Sequence, residues 1–144
     1  MNLDDFSQKI ITFLDKKFSE ETSISKSPVG HLAYEYGLKP NTEPFYVVQI
    51  TDDYASDEVF NDELTRTISL QIHIYSVKMK INDVITTANR AAYKLADMCI
   101  GYLKELKYSD NDIKSMRKTG GTISLPYEDG SKSYMSILRY IIKI

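Results

Sequence analysis

An alternation of apolar and polar residues between positions 66 and 77 constrains the fold of this chain more than any other feature. Leucine or isoleucine takes every second position, and mainly polar residues lie between: Thr67, Ser69, Gln71, His73 and Tyr75 alternate with Ile68, Leu70, Ile72 and Ile74. Successive side chains of a β-strand point to opposite faces, so this pattern predicts a strand with one buried and one wet face. The chain is therefore expected to build a sheet that is covered on one face.

Three further segments have the composition of strands. Residues 45–52 are rich in β-branched and aromatic residues, which favour a pleated, half-buried surface. Residues 116–127 and 133–144 flank the turn dipeptide Asp129-Gly130, and this arrangement predicts an antiparallel hairpin. Gly120-Gly121 inside the first of these runs predicts a bulge or a bend.

Two stretches have the three- and four-residue spacing of a buried helical stripe. The first covers residues 3–18, and we expect its polar face, which includes Asp15, to be solvated. The second is longer, with Asn82 as the predicted cap and a helix over residues 83–106, about 36 Å in length. Its apolar stripe comprises Val84, Ile85, Ala88, Ala91, Ala92, Leu95, Met98, Cys99, Tyr102, Leu103 and Leu106.

These elements predict an α+β fold with the order α-β-β-α-β-β. We expect a small, mainly antiparallel twisted sheet of about four strands, with the long helix packed on it and an N-terminal helix. At 144 residues the chain fits one domain, residues 1–144. Residues 19–44, punctuated by Pro28, Pro40 and Pro44, are expected to form a long connection.

Charge is distributed unevenly along the chain. The net charge is only −2, which gives no reason to expect a protein that binds duplex DNA. Six acids and no base lie within residues 52–63, which leaves 14 acids against 18 bases elsewhere: Asp52, Asp53, Asp57, Glu58, Asp62 and Glu63. A solvated loop is the simplest interpretation. The sharper one is a surface that meets a basic partner or keeps an anion such as DNA from sticking.

Residues suited to catalysis are few. His73 is expected on the polar face of its strand, and Cys99 on the packed side of the long helix, where cysteine behaves as a small hydrophobe. The acidic segment lacks the spacing of an EF-hand, and Thr119-Gly120-Gly121-Thr122 lacks the Lys-Ser/Thr of a P-loop. We therefore expect no catalytic residue, no metal and no cofactor, and interpret the chain as a protein that is not an enzyme.

Targeting signals are also not expected. The N-terminus opens with acidic residues instead of the basic start of a secretion signal, and no apolar run approaches the roughly 20 residues that span a bilayer. A single cysteine excludes an intramolecular disulfide. These features favour a soluble product of a reducing compartment, without a membrane partner.

The order and local pattern of the segments resemble those of the tail terminator proteins of long-tailed bacteriophages and related phage-tail-like particles. An N-terminal helix leads through an irregular segment into the first strand, here Tyr36-Gly37-Leu38-Lys39-Pro40 and then Pro44-Phe45-Tyr46-Val47-Val48-Gln49-Ile50. A polar excursion follows, then Arg66-Thr67-Ile68-Ser69-Leu70-Gln71-Ile72-His73-Ile74-Tyr75. A helix with an Asn/Ala-rich start and a terminal hairpin complete the pattern, which covers nearly the whole chain.

The resemblance implies a ring, expected to be hexameric, on the head-proximal end of the tail tube. Such a ring stops tube polymerisation and offers a surface for the head connector or adaptor. Its other partners are the tail tube protein and, in tails that have one, the sheath. DNA passes through its channel without sequence-specific binding. The implied location is the virion tail, after synthesis in the cytoplasm of a bacterial host.

Two groups of residues are candidates for these contacts. The acidic segment, residues 52–63, is the candidate for lining the channel or meeting a partner. Aromatic and apolar residues in and beside the long connection are candidates for contacts between subunits, although packing onto their own domain explains them equally well: Tyr34, Tyr36, Leu38 and Phe45. Alternatives for the whole chain are a head-completion or connector-adaptor protein of the same particle and a small enzyme or ligand-binding α+β domain.

Overall fold

A computed structural model describes residues 2–32, 43–52, 58–60, 63–126 and 133–144, with the backbone alone described at 52, 58–60 and 63–65. Among these residues two helices accompany a mixed sheet, which confirms the α+β class. Helix α1 spans Leu3–Glu20 and helix α2 spans Ala88–Ser109. The strands are β1 (Val29–His31), β2 (Phe45–Asp52), β3 (Glu58–Phe60), β4 (Glu63–Thr65), β5 (Thr67–Val77), β6 (Met79–Ile81), β7 (Val84–Thr86), β8 (Ser115–Lys118), β9 (Ile123–Pro126) and β10 (Ser133–Lys143).

The main sheet has the strand order β1-β2-β5-β10-β8, and β9 also pairs with β10. β1 runs parallel to β2, whereas the other pairs are antiparallel. The two central strands, β5 and β10, are paired over their whole length of 11 residues each. The predicted buried face is confirmed, because Ile68, Leu70, Ile72 and Ile74 are all completely buried. The other face is not wet as predicted: Ser69, Gln71 and His73 are half-buried, and Tyr75 is buried in a second apolar cluster.

The predicted count of about four strands was too low, because six strands of the main sheet lie among the described residues. One addition is β1, within the segment predicted to be a connection. The other arises because the run at 116–127 is divided into β8 and β9. From Lys118 to Ile123 the chain advances five residues while their partners on β10 advance three, from Tyr140 to Ile137. Two residues therefore bulge out, and Gly120 takes a φ of 70°, so the predicted bend is confirmed.

The predicted start of the long helix was wrong. Asn82 and Asp83 form the two-residue turn between β6 and β7, with φ of 53° and 62°. Asn and Asp tolerate this left-handed region better than other residues with a side chain, and two such residues make the turn of a tight hairpin. The helix begins only at Ala88, after Thr87, whose side chain accepts a hydrogen bond from the backbone of Arg90.

The other half of the helix prediction holds. Ala91, Ala92 and Ala96 are completely buried, and the Ser136 hydroxyl donates to the carbonyl of Ala92 at 2.9 Å. Small side chains on α2 thus allow it to lie close against β5 and β10, as expected. Cys99 lies on this packed side and is also completely buried.

Two further segments were predicted as irregular. The acidic segment, for which a solvated loop was the simplest interpretation, includes β3 and the first residue of β4, and these two strands pair as a hairpin. The long connection contains β1, which pairs with the start of β2. β1, β3 and β4 have three residues each, which is too short to show a periodic pattern in the sequence.

Candidate assembly surface

The β1 edge of the sheet is closed by a carboxylate from α1. Asp15 Oδ1 accepts hydrogen bonds from the backbone N–H of Gly30 at 2.9 Å and from the hydroxyl of Tyr46 at 2.8 Å. That hydroxyl also lies 3.1 Å from the carbonyl of Ile11. Burial, together with the hydrogen bond to Asp15, raises the pKa of Tyr46, so the hydroxyl stays protonated. Asp15 was predicted to be on a solvated helix face, and its role in tying α1 to the sheet corrects that.

The opposite edge is formed by β8 and β9, and we call it the β8–β9 edge. No described strand pairs with its outer side. Ile123 is 40% exposed and Leu125 is 46% exposed. An exposed edge strand carries backbone groups that can bond another chain, although Pro126 removes one donor at the end of β9. This edge is therefore the open one.

Helix α2 adds exposed aromatic rings beside the same edge. Tyr93 is 47% exposed and Tyr108 is 74% exposed. Residues three and four apart share a helix face, so a single stripe connects Asn89, Tyr93, Asp97, Ile100, Lys104 and Tyr108. This stripe meets β9 at one end, where the Ser124 hydroxyl lies 3.4 Å from Asn89 Oδ1. Ser124 and its partner Ser136 therefore face α2, whereas Ile123 and Leu125 alternate to the other face of the sheet, so the stripe and the apolar side chains lie on either side of this edge.

A groove of about 240 Å³ lies where the stripe meets β8. We call it the lysine groove, and its lining residues are Ile100, Lys104, Lys107, Tyr108, Met116, Lys118 and Tyr140. Lys107 Nζ lies 5.8 Å from the centre of the Tyr108 ring, and Lys118 Nζ donates to the carbonyl of Gly120 at 3.0 Å. No acid is among the described lining residues. The groove thus combines positive charge with apolar and aromatic walls.

A second depression, of about 480 Å³, lies where α1 meets the end of α2. Lys9 Nζ is 2.8 Å from Asp110 Oδ2 and 3.2 Å from Asp112 Oδ2. Burial alone would raise the pKa of Asp110, but the hydrogen bond from Lys9 brings that pKa below its ordinary value. The charges that line this depression already pair with one another. We therefore interpret it as part of the packing of α1 against the residues after α2, and not as a binding site.

The β6–β7 hairpin is a further exposed feature. Val84 and Ile85 are 62% and 64% exposed, whereas Met79 and Ile81 on the partner strand are buried. Val84 and Ile85 were predicted to lie on the buried stripe of the long helix, and that prediction was wrong. The adjacent Asn82-Asp83 pair was the available signal, since two such residues between apolar runs are typical of a tight hairpin turn.

Of the residues predicted for contacts between subunits, Phe45 lies within the described part of the chain. Its ring stacks on Tyr75, with 4.5 Å between ring centres and 20° between planes. Phe45, Val47 and Tyr75 form a small buried cluster with Met135 packed against it. Within one chain Phe45 therefore packs against its own sheet. Tyr34, Tyr36 and Leu38 lie outside the described residues.

The predicted acidic surface is described only in part. Asp53, Asp57 and Asp62 lie outside the described residues, and for Asp52, Glu58 and Glu63 the backbone alone is described. Asp52 ends β2, and its backbone pairs with Ile68. The β3–β4 hairpin brings Glu58 and Glu63 onto two paired strands, opposite Thr65 and Phe60.

Reactive groups of the described residues offer little chemistry. Burial raises the pKa of the Cys99 thiol, which keeps it protonated and unreactive. Burial, and then the charge of Arg139, lower the pKa of His73, whose Nε2 lies 3.1 Å from Gln71 Oε1. Within the described ranges no three His, Cys, Asp or Glu side chains are grouped to hold a metal ion. Nor is either described helix long and apolar enough to cross a membrane.

Comparison with known proteins finds no matching family model and no curated protein similar in sequence. The resemblance to tail terminators therefore depends on the order of the elements and on the local sequence pattern alone. The surface formed by the β8–β9 edge, the α2 stripe and the lysine groove was not found from sequence. Its members are far apart along the chain, and the fold brings them together.

Proposed function

We propose that this chain is a structural protein of a phage or phage-tail-like particle and forms a ring, expected to be hexameric, at the head-proximal end of the tail tube. The observation that carries the proposal is the β8–β9 edge, where Ile123 and Leu125 are exposed on β9 and no described strand pairs with the outer side. Exposed apolar surface that groups in this way marks contacts with other proteins. Assembly, and not chemistry, is the function that such a surface supports.

The shape of this edge favours a head-to-tail contact over a two-fold one. β8 and β9 have four residues each, and the bulge at Gly120-Gly121 interrupts them, so two such edges could not build a long ladder across a two-fold axis. Asp15 closes the β1 edge, so one sheet cannot continue into the next. Unlike surfaces that meet head to tail close into a ring when their rotation divides the circle.

Within the proposed particle the ring ends tube polymerisation and gives the head connector its docking surface. DNA crosses the central channel without sequence-specific binding, and no cofactor is needed. The acidic segment, residues 52–63, lines that channel or meets a partner. The resemblance described above supports these roles, and the position of the open edge supports the assembly that they require.

The proposal is tested by electron microscopy of the purified protein, alone and with tail tube protein. We expect closed rings and tubes of limited length that carry one ring at an end. Rings that bind a head connector but leave tube length unchanged would instead favour the connector-adaptor of the same particle.

A variant with Ile123→Asp and Leu125→Asp tests the open edge. Each side chain is about half exposed, so burying the remainder in a contact is worth about 1 kcal/mol. Losing both would weaken each contact by about 2 kcal/mol, roughly 30-fold, and we expect the rings to dissociate. The matched control, Val84→Asp with Ile85→Asp, removes two apolar residues of the β6–β7 hairpin that are even more exposed, and should retain the rings.

A further inference from the structure

We infer that the lysine groove of one subunit binds the acidic segment, residues 52–63, of a second copy of this chain. The inference depends on the proposed ring and names the contact that closes it. Its basis is a groove that has three ammonium groups and no described acid. The same chain has six acids and no base within residues 52–63. Complementary patches of this kind set the register and partner of an interface.

Two lysines outside the groove are already paired with acids of the same chain. Lys9 is neutralised by Asp110 and Asp112, and Lys17 Nζ lies 2.7 Å from Glu105 Oε2. Lys17 thus joins α1 to α2, and Lys9 joins α1 to the residues that follow α2. Lys104, Lys107 and Lys118 make no salt bridge with a described carboxylate, although they lie side by side in one groove. Their charge is therefore available to a partner.

The lining also selects the kind of partner. Ile100 and Met116 give the groove apolar surface, and Tyr108 and Tyr140 give it aromatic rings. An acidic peptide can bring carboxylates to the lysines and apolar atoms to this surface at the same time. The acidic segment itself includes Tyr54, Val59 and Phe60 among its acids. A nucleic-acid backbone would satisfy only the charges, so the groove favours a peptide.

The strand order gives this contact its direction. Asp52, where the acidic segment begins, ends β2 in the half of the sheet next to β1. The groove adjoins β8 at the opposite edge. Each subunit therefore presents the groove at one edge of its sheet, and the acidic segment begins in the other half. Two different patches of one chain meet head to tail, as ring closure requires.

A charge-swap experiment tests the contact. The groove variant carries Lys104→Glu, Lys107→Glu and Lys118→Glu. The segment variant replaces all six acids of residues 52–63 with lysine, because three replacements would leave the segment without net charge. Like charges then meet in either variant alone, and we expect ring assembly to weaken at least 10-fold in each. An equimolar mixture should restore rings with alternating subunits, because every contact in such a ring is again complementary. Restoration also shows that both variants fold.

The control variant carries Lys16→Glu, Lys78→Glu and Lys80→Glu, three exposed lysines outside the groove, and so has the same change in net charge. It should assemble as the wild type does. A groove variant that forms normal rings would overturn the contact while the proposed ring stands, and lost binding to duplex DNA with normal rings would assign the groove to nucleic acid instead.

Two further results would also be decisive. If the mixture fails but both sets of substitutions in one chain restore rings, the contact lies within a single chain and the inference is wrong. A wild-type protein that forms no ring, alone or with tail tube, would remove the proposed function and this contact together.

Discussion

Asp15 joins three parts of the structure, and its removal should therefore cost more than the loss of a surface aspartate. One carboxylate oxygen accepts from Gly30 on β1 and from the hydroxyl of Tyr46 on β2. Tyr46 is completely buried, so water cannot take the place of the Asp15 carboxylate as acceptor for its hydroxyl. In the Asp15→Ala variant, the hydroxyl of Tyr46 would keep one partner, the carbonyl of Ile11 at 3.1 Å.

The magnitude follows from the two hydrogen bonds. A hydrogen bond to a charged group contributes about 1.5–3 kcal/mol. Gly30 is partly exposed and Tyr46 retains one acceptor, so we take the lower value for each bond. Asp15→Ala should lower the free energy of unfolding by about 3 kcal/mol. Asp15→Asn keeps an acceptor oxygen and should cost about 1 kcal/mol.

Urea denaturation followed by circular dichroism measures this loss. The control is Asp97→Ala, an exposed aspartate on α2, which should change stability by less than about 0.5 kcal/mol. In a double-mutant cycle with Tyr46→Phe, the two sites should couple by at least about 1 kcal/mol. If Asp15→Ala were no more destabilising than Asp97→Ala, the carboxylate would not close the β1 edge, and the account of the two edges would be wrong.

Three further predictions concern the same fold. A Cβ at Gly30 would overlap the ring of Tyr46, so Gly30→Ala should destabilise the protein by about 2 kcal/mol in the same urea assay. Asp83 has a φ of 62°, which glycine adopts without strain, so Asp83→Gly should leave the free energy of unfolding unchanged or raise it by up to about 1 kcal/mol. If a helix began at Asp83 instead, the same substitution would lower the stability. Hydrogen bonds from Ser23, and then from Tyr102, hold the pKa of Glu21 below its ordinary value of 4.5. This contact stabilises the fold above that pH and is lost as the pH falls through the lowered pKa, so Glu21→Gln should flatten the decline of stability below pH 4.5.

Long periodic elements were predictable from the sequence. The strand at Thr67–Val77 alternates because one of its faces lies beneath the helices, and burial imposes a period of two on its residues. The same reasoning holds for β10, where Leu138 and Ile142 are completely buried. The packed side of α2 was also predictable, because its stripe is long enough to show the helical period.

Short elements were not predictable, for a physical reason. β1 is only three residues long, and it depends on the carboxylate of Asp15, which the sequence shows only as one polar residue on a helix. The β6–β7 hairpin was hidden because Val84 and Ile85 continue the apolar spacing of the helix that follows. Backbone conformation at Asn82 and Asp83, and not hydrophobic spacing, decides where the helix begins.

The candidate surface illustrates a further limit. Lys104 and Lys107 lie on α2, whereas Lys118 lies on β8, and only the pairing of β8 with β10 brings them together. In the sequence these lysines are ordinary members of polar helix and strand faces. The acidic segment, by contrast, is visible from composition, because its charge is continuous along the chain.

Native mass spectrometry can measure whether the chain closes into a ring through its open edge. The measurement uses the 16.5 kDa chain alone and in the presence of tail tube protein. The account predicts a species of six copies under at least one of these conditions, and its loss when Ile123→Asp and Leu125→Asp are introduced. A dimer that ignores tail tube protein, or a hexamer that survives those two substitutions, would contradict it.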